Sequence, residues 1–131
     1  MIDFKRMRKL IRQEERLRWA VRRMEDRATR TTPTYSAAPR SGGGSGQQME
    51  ENVIRLLMVK EQHEMILAEL GQARSELQER MELIPDGVQR AALGMRYMRG
   101  MSIREIMLAM NYSERQVFRI LEEAENQARR E

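Results

Sequence analysis

Two stretches of the chain repeat apolar residues at alternating three- and four-residue spacing, the pattern of amphipathic helices that pair along a seam. The stretches cover residues 1–30 and 49–84. The seam of the first contains Phe4, Met7, Leu10, Ile11, Leu17, Val21 and Met24, and the seam of the second contains Leu56, Val59, Ile66, Leu70, Ala73 and Leu77. The pattern predicts two long helices that pack as an antiparallel coiled-coil hairpin, or the same pairing made between two chains.

Two interruptions divide this pattern. Segment 31–48 is rich in Pro, Gly, Ser and Thr and is predicted to be a linker. Pro85 ends the second helix, because proline disfavours helical geometry in the residue before it. A third helix is predicted to begin at Asp86, and its expected buried face contains Val88, Ala91, Ala92, Met95 and Met98.

The last third of the chain carries two further helix starts eleven residues apart. Ser102 precedes Glu105, and Ser113 precedes Gln116, each at the spacing of a capping box. Between them, Asn111 stands where the first helix must end in a left-handed residue, which asparagine tolerates better than most. The chain is therefore predicted to be all-α: an antiparallel coiled-coil hairpin over 1–84, followed by a three-helix unit over 85–131 that contains a helix-turn-helix.

Charge divides the two long helices. Residues 1–30 carry eleven Lys/Arg and five Asp/Glu, whereas residues 49–84 carry four Lys/Arg and eight Asp/Glu. Helices of opposite charge attract each other, and we favour this explanation for the basic first helix. The alternative is a stripe that binds nucleic-acid phosphates, formed by Lys5, Arg6, Arg8, Lys9 and Arg12.

Composition excludes several classes of function. The chain of 131 residues has no cysteine and one histidine, His63, which falls on the second seam and is interpreted as a polar residue that sets the helix register. Trp19 lies off the seam and is expected to be partly exposed or covered by another element. No paired carboxylates in a catalytic motif, phosphate-binding loop, metal cluster, secretory signal or membrane-spanning apolar run is recognisable. We expect a cytoplasmic protein that is not an enzyme and needs no metal or cofactor.

The stretch LGMRYMRGMSIREIMLAMNYSERQVFRILEEA resembles region 4 of the sigma-70 family, the helix-turn-helix that reads promoters in bacterial transcription initiation. Residues 84–97 are one residue longer than the ordinary sigma pattern. The whole arrangement is similar to small regulators encoded by phages and prophages of Gram-positive bacteria, including the ArpU-like and RinA-like late-gene activators. This resemblance implies transcriptional control through double-stranded DNA, with RNA polymerase as a protein partner.

A helix-turn-helix places the first residues of its second helix in the major groove. The residues expected to contact base edges are Glu114, Arg115, Phe118 and Arg119, and those expected to contact phosphates are Arg99, Ser102, Arg104 and Ser113. The alternative function is a coiled-coil adapter whose three-helix unit binds protein rather than DNA. A homodimer formed through the coiled-coil arm is compatible with either function.

Overall fold

The computed structural model describes residues 1–30 and 44–130, and their regular structure is entirely helical, as the sequence predicts. Helix α1 spans Phe4–Arg30 and helix α2 spans Gly44–Met81. Helix α3, Gly87–Leu93, continues into a π-helical turn at Gly94–Met98, and helices α4, Ile103–Met110, and α5, Glu114–Arg129, follow. The described residues form two compact units: unit 1 contains residues 1–11 and 68–130, and unit 2 contains residues 12–30 and 44–67.

Local chemistry explains most helix ends. The Asp3 carboxylate accepts a hydrogen bond from the backbone N–H of Arg6 at 3.0 Å, which caps α1. The prediction of a linker over 31–48 was wrong for residues 44–48, which belong to a helix, whereas residues 31–43 lie outside the described residues. Helix α2 begins at Gly44. It ends at Met81, three residues before the predicted boundary at Ile84. Ile84 is buried in the core, and Pro85 prevents it from continuing the helix.

Unit 1 holds two clusters of buried apolar residues. The first joins the beginning of α1 to the later helices and contains Ile2, Phe4, Met7, Leu77, Met81, Ile84, Leu93, Tyr97, Ala124 and Ala128. The second contains Ala92, Ile106, Val117 and Leu121 and lies among the three short helices. The three short helices therefore share a core of their own, and the first residues of the chain complete the larger cluster beside it.

The predicted buried face of α3 needs correction. Ala92 is buried and Met95 and Met98 are half-buried, as expected, but Val88 and Ala91 are exposed. Leu93 and Tyr97 take their place in the core. Helix α3 packs against α5 through Ala92 and Leu93, which leaves Val88 and Ala91 exposed. The π-helical turn follows, and in it the N–H of Arg99 donates to the carbonyl of Gly94 five residues earlier. This wider turn takes up one more residue than an α-helical turn, so that Tyr97 follows Ala92 on the buried side.

Unit 2 contains the remaining parts of α1 and α2, which run in opposite directions. The predicted seam residues Leu17, Val21, Leu56, Val59 and Ile66 are all half-buried. The His63 ring nitrogen Nε2 lies 2.9 Å from Glu14 Oε2, and Lys60 Nζ lies 2.7 Å from Glu25 Oε1. Both His63 and Glu14 are largely shielded from solvent, so the histidine occupies a polar position within the seam.

Candidate nucleic-acid interface

The turn between α4 and α5 is built by the chemistry predicted from the sequence. The Ser102 hydroxyl accepts from the N–H of Glu105 at 3.2 Å, and the Glu105 carboxylate accepts from the N–H of Ser102 at 3.4 Å. Ser113 and Gln116 form the same reciprocal pair at 3.2 and 2.9 Å. These two capping boxes are therefore confirmed, and they fix the first turn of each helix.

Asn111 ends α4 in the left-handed conformation, with φ 57° and ψ 45°. The next residue, Tyr112, donates its N–H to the Met107 carbonyl at 3.2 Å, which satisfies one of the last free carbonyls of α4. Gly100, before α4, also has a positive φ of 66°. Both chain reversals around α4 thus depend on residues that tolerate φ values unfavourable to most side chains.

Helix α5 has one buried and one exposed face. Its buried residues are Val117, Leu121, Ala124 and Ala128, which recur every three or four residues. The four residues predicted to contact bases, Glu114, Arg115, Phe118 and Arg119, are all exposed. They cluster in the first two turns of α5, because positions separated by one, four and five residues share one side of a helix.

The four residues predicted to contact phosphates, Arg99, Ser102, Arg104 and Ser113, are also exposed. Each serine oxygen accepts a backbone hydrogen bond, which leaves the hydroxyl proton available to an external acceptor. Within the part of the chain that the structure describes, the guanidinium groups of Arg99, Arg104, Arg115 and Arg119 make no ion pair or hydrogen bond. Four cationic groups near the helix-turn-helix are therefore accessible to an anionic ligand.

A polar triad in unit 1 holds α5 to the beginning of α1. The hydroxyl of Tyr97, a fully buried residue, donates to Glu125 Oε1 at 2.8 Å and accepts from Arg8 Nη1 at 2.7 Å. Arg8 also lies 3.1 Å from Glu125. Burial, followed by the nearby Glu125 charge, raises the pKa of Tyr97 well above its usual value. No sequence pattern indicates this triad, because its members are far apart in the chain and none belongs to a short motif with the others.

The basic residues of α1 in unit 1 have different surroundings. Arg6 forms a two-pronged ion pair with Glu69, with distances of 2.9 and 3.1 Å to its two carboxylate oxygens. Arg8 belongs to the triad, whereas Lys5 and Lys9 are exposed. The contacts of Arg6 and Arg8 favour pairing with acidic residues of the chain over a phosphate-binding role for these two.

Unit 2 carries an exposed aromatic residue on α1. Trp19 is 50% exposed, and the guanidinium carbon of Arg22 lies 5.7 Å from the centroid of its ring. A shallow surface groove around it is lined by Arg12, Glu15, Arg16 and Arg23. The expectation of partial exposure is confirmed, and the groove lies on α1 alone.

Neither a metal-binding cluster nor a membrane-spanning helix is found in the described residues. No group of three or more His, Cys, Asp or Glu side chains in residues 1–30 and 44–130 is arranged to hold a metal ion. No helix in the same residues has both the length and the apolar character needed to cross a membrane.

Comparison with known proteins identifies a family and no characterised relative. No curated protein matches the chain, and no solved structure does. Residues 30–129 match the family described as "Protein of unknown function (DUF1492)". The matched region starts at the end of α1 and includes α2, the π-helical turn and both helices of the helix-turn-helix. Because this region is more than half of the chain, the protein belongs to the DUF1492 family.

Proposed function

We propose that this protein is a sequence-specific regulator of transcription, similar to a sigma factor, that binds double-stranded DNA in the cytoplasm. The observation that carries the proposal is the exposed face of α5. Glu114, Arg115, Phe118 and Arg119 project from the first two turns of a helix whose opposite face is anchored in a core. This helix follows a tight left-handed turn at Asn111, which is the arrangement of a recognition helix in the major groove.

The side chains at this face have complementary chemistry for base edges. An arginine can donate two hydrogen bonds to N7 and O6 of guanine, so Arg115 and Arg119 are suited to G·C pairs. Glu114 can accept from the amino group of cytosine, and the ring of Phe118 can contact the methyl group of thymine. These contacts would read sequence directly.

The phosphate contacts would set the position of the helix on the duplex. Ser102 and Ser113 lie at the N-termini of α4 and α5, where backbone N–H groups favour an anion. Arg99 and Arg104 add two positive charges. Each phosphate that such a group neutralises makes the fall of log K with log salt steeper by about 0.9. Binding should therefore weaken steeply as the salt concentration rises.

The proposal is tested by selecting bound sequences from a pool of random DNA duplexes at two salt concentrations. We expect a recurring sequence motif, and we expect it to disappear when Arg115→Ala and Arg119→Ala are combined. The matched control combines Arg16→Ala and Arg23→Ala, which also removes two exposed arginines but takes them from α1. Failure to enrich any sequence at either salt concentration would refute the proposal.

Single substitutions separate base readout from phosphate binding. Arg115→Ala should cost about 1–3 kcal/mol on the preferred site and relax the preference at one base pair. Arg99→Ala should weaken binding evenly on all sequences and reduce the salt slope by about 1. Equal losses on all sequences for Arg115→Ala would contradict the groove arrangement. Titrations by fluorescence anisotropy with preferred and scrambled duplexes provide the comparison.

A second candidate function is favoured by exposed apolar residues in the same unit. Leu108, on α4, is 77% exposed, and Phe118, on α5, is half exposed. Side chains of this kind contribute to protein interfaces, so the three-helix unit would then act as an adapter for a protein such as RNA polymerase. Binding through an apolar interface should change little with salt, whereas binding through phosphates should not persist at high salt.

A further inference from the structure

We propose that unit 2 binds a second copy of this chain through an exposed apolar face of α2, with the two α2 helices antiparallel. This face, hereafter the outer seam, consists of Ile54, Met58, Glu61 and Met65, with Leu57 beside it. Its four apolar side chains are between 56% and 68% exposed. The proposal does not depend on DNA binding.

The outer seam is separate from the contact between α2 and α1. The inner seam residues Leu56, Val59 and Ile66 are half-buried in unit 2, where α1 also lies. The outer seam residues lie on a different side of the same helix, because they are offset from the inner ones by one or two positions. A helix that is apolar on more than one side is typical of the interior of a helical bundle rather than of its surface.

The spacing of the outer seam fits another helix. Its members are separated by four, three and four residues, which is the spacing of core positions in a coiled coil. This order reads the same in both directions along the chain. An antiparallel copy of α2 therefore matches it, with Ile54 opposite Met65 and Met58 opposite Glu61, in an interface that uses the same surface on both copies.

Charge favours the antiparallel direction. In a parallel pair, Glu61 would face Glu61 of the other copy within the seam, and two like charges at a shared core position repel each other. The antiparallel arrangement separates them.

The first test measures association of the full-length chain by sedimentation equilibrium from about 1 to about 200 µM. We expect a reversible dimer. Met58→Glu should raise the dissociation constant at least about tenfold, because it adds a charge to a seam that loses water on binding. Glu61→Leu should lower it about tenfold, because it removes a charge from that seam.

The matched control is Leu108→Glu, which introduces the same charge at an apolar residue of α4 that is even more exposed than Met58. It should leave association unchanged, and circular dichroism should show the same helix content for all variants. A chain that stays monomeric at the highest concentration would overturn the proposal, as would equal effects of Met58→Glu and Leu108→Glu. Since Glu61→Leu is expected to strengthen association, loss of folding cannot imitate the predicted result.

The second test identifies the direction of the pair. The chain contains no cysteine, so Ile54→Cys and Met65→Cys can be combined without other thiols present. Eleven residues of one helix span roughly 16 Å, which prevents a disulfide between these two positions within one copy. Oxidation followed by mass spectrometry should yield a crosslink between position 54 of one copy and position 65 of the other. Crosslinks that join only identical positions would overturn the antiparallel arrangement.

Discussion

Replacing Phe4 with alanine tests whether the first residues of the chain are part of the folded core of unit 1. Phe4 is only 1% exposed. The centroid of its ring lies 5.0 Å from that of Tyr97, and the guanidinium carbon of Arg129 lies 5.0 Å from the same ring. Phe4 therefore joins the beginning of α1 to the π-helical turn and to the end of α5.

The expected cost follows from these contacts. Truncation of a buried phenylalanine to alanine removes its apolar surface from the core and leaves a cavity, which together cost about 3–5 kcal/mol. This figure includes the aromatic pair with Tyr97, worth roughly 1 kcal/mol. For a chain of this size each kcal/mol shifts the melting temperature by roughly 3–5 °C, so Phe4→Ala should lower it by about 10–25 °C.

The assay compares Phe4→Ala with Trp19→Ala by chemical denaturation followed by circular dichroism. Trp19 is a larger aromatic residue of the same helix, but it is half exposed, and its removal should cost only about 1 kcal/mol. Amide hydrogen exchange should also become faster in α5 for Phe4→Ala alone. Equal losses for the two variants, or unchanged exchange in α5, would refute the assignment of the N-terminal residues to this core.

Three further predictions concern the turn, the cap and the triad. Asn111→Ala should lower the free energy of unfolding by about 1 kcal/mol, because an alanine with φ near 57° is strained, whereas Asn111→Gly should be nearly neutral. Equal losses for the two variants in denaturant titrations would contradict this prediction. Ser113→Ala should lower the free energy of unfolding by about 1 kcal/mol because the helix cap is lost, whereas Ser113→Asp should retain most of the stabilisation by the cap. The same titrations check both variants, and equal losses would argue against the cap. Because burial raises the pKa of Tyr97, the folded protein holds the phenol proton more tightly than the unfolded chain does. The resulting contribution to the free energy of unfolding is complete below about pH 10 and is lost as the pH rises further. Tyr97→Phe should remove this loss of stability, and parallel curves for both proteins between about pH 8 and 11 would contradict the prediction.

The structural features that the sequence predicted correctly depend on interactions between residues at most four positions apart in the chain. The seams of α1 and α2 follow from apolar spacing, and the caps at Ser102 and Ser113 follow from the residue three positions later. Asn111 was predicted in the left-handed conformation because few other residues adopt it. The eight candidate DNA contacts were found from their positions relative to these caps; all of them are exposed, and their contacts with DNA stay predictions.

The features that sequence did not predict depend on contacts between distant residues. The Arg8–Tyr97 bond joins residues 89 positions apart, and Arg8 is 117 positions from Glu125. In the sequence Arg8 is one basic residue among many, and nothing local distinguishes it from Lys9. The predicted buried face of α3 included Val88 and Ala91, which are exposed because α3 packs on α5 through Ala92 and Leu93, and it missed Tyr97, which the π-helical turn brings to the buried side.

The sequence by itself thus determined the helical class, the helix-turn-helix and its turn, since backbone geometry and capping act over a few residues with fixed spacing. The tertiary structure decided which charges are paired within the chain, which aromatic residues are buried and where α2 keeps a second apolar face exposed. These outcomes depend on which helix surfaces meet when the chain packs. The free energy that favours one packing over another comes from contacts between residues that are far apart in the sequence.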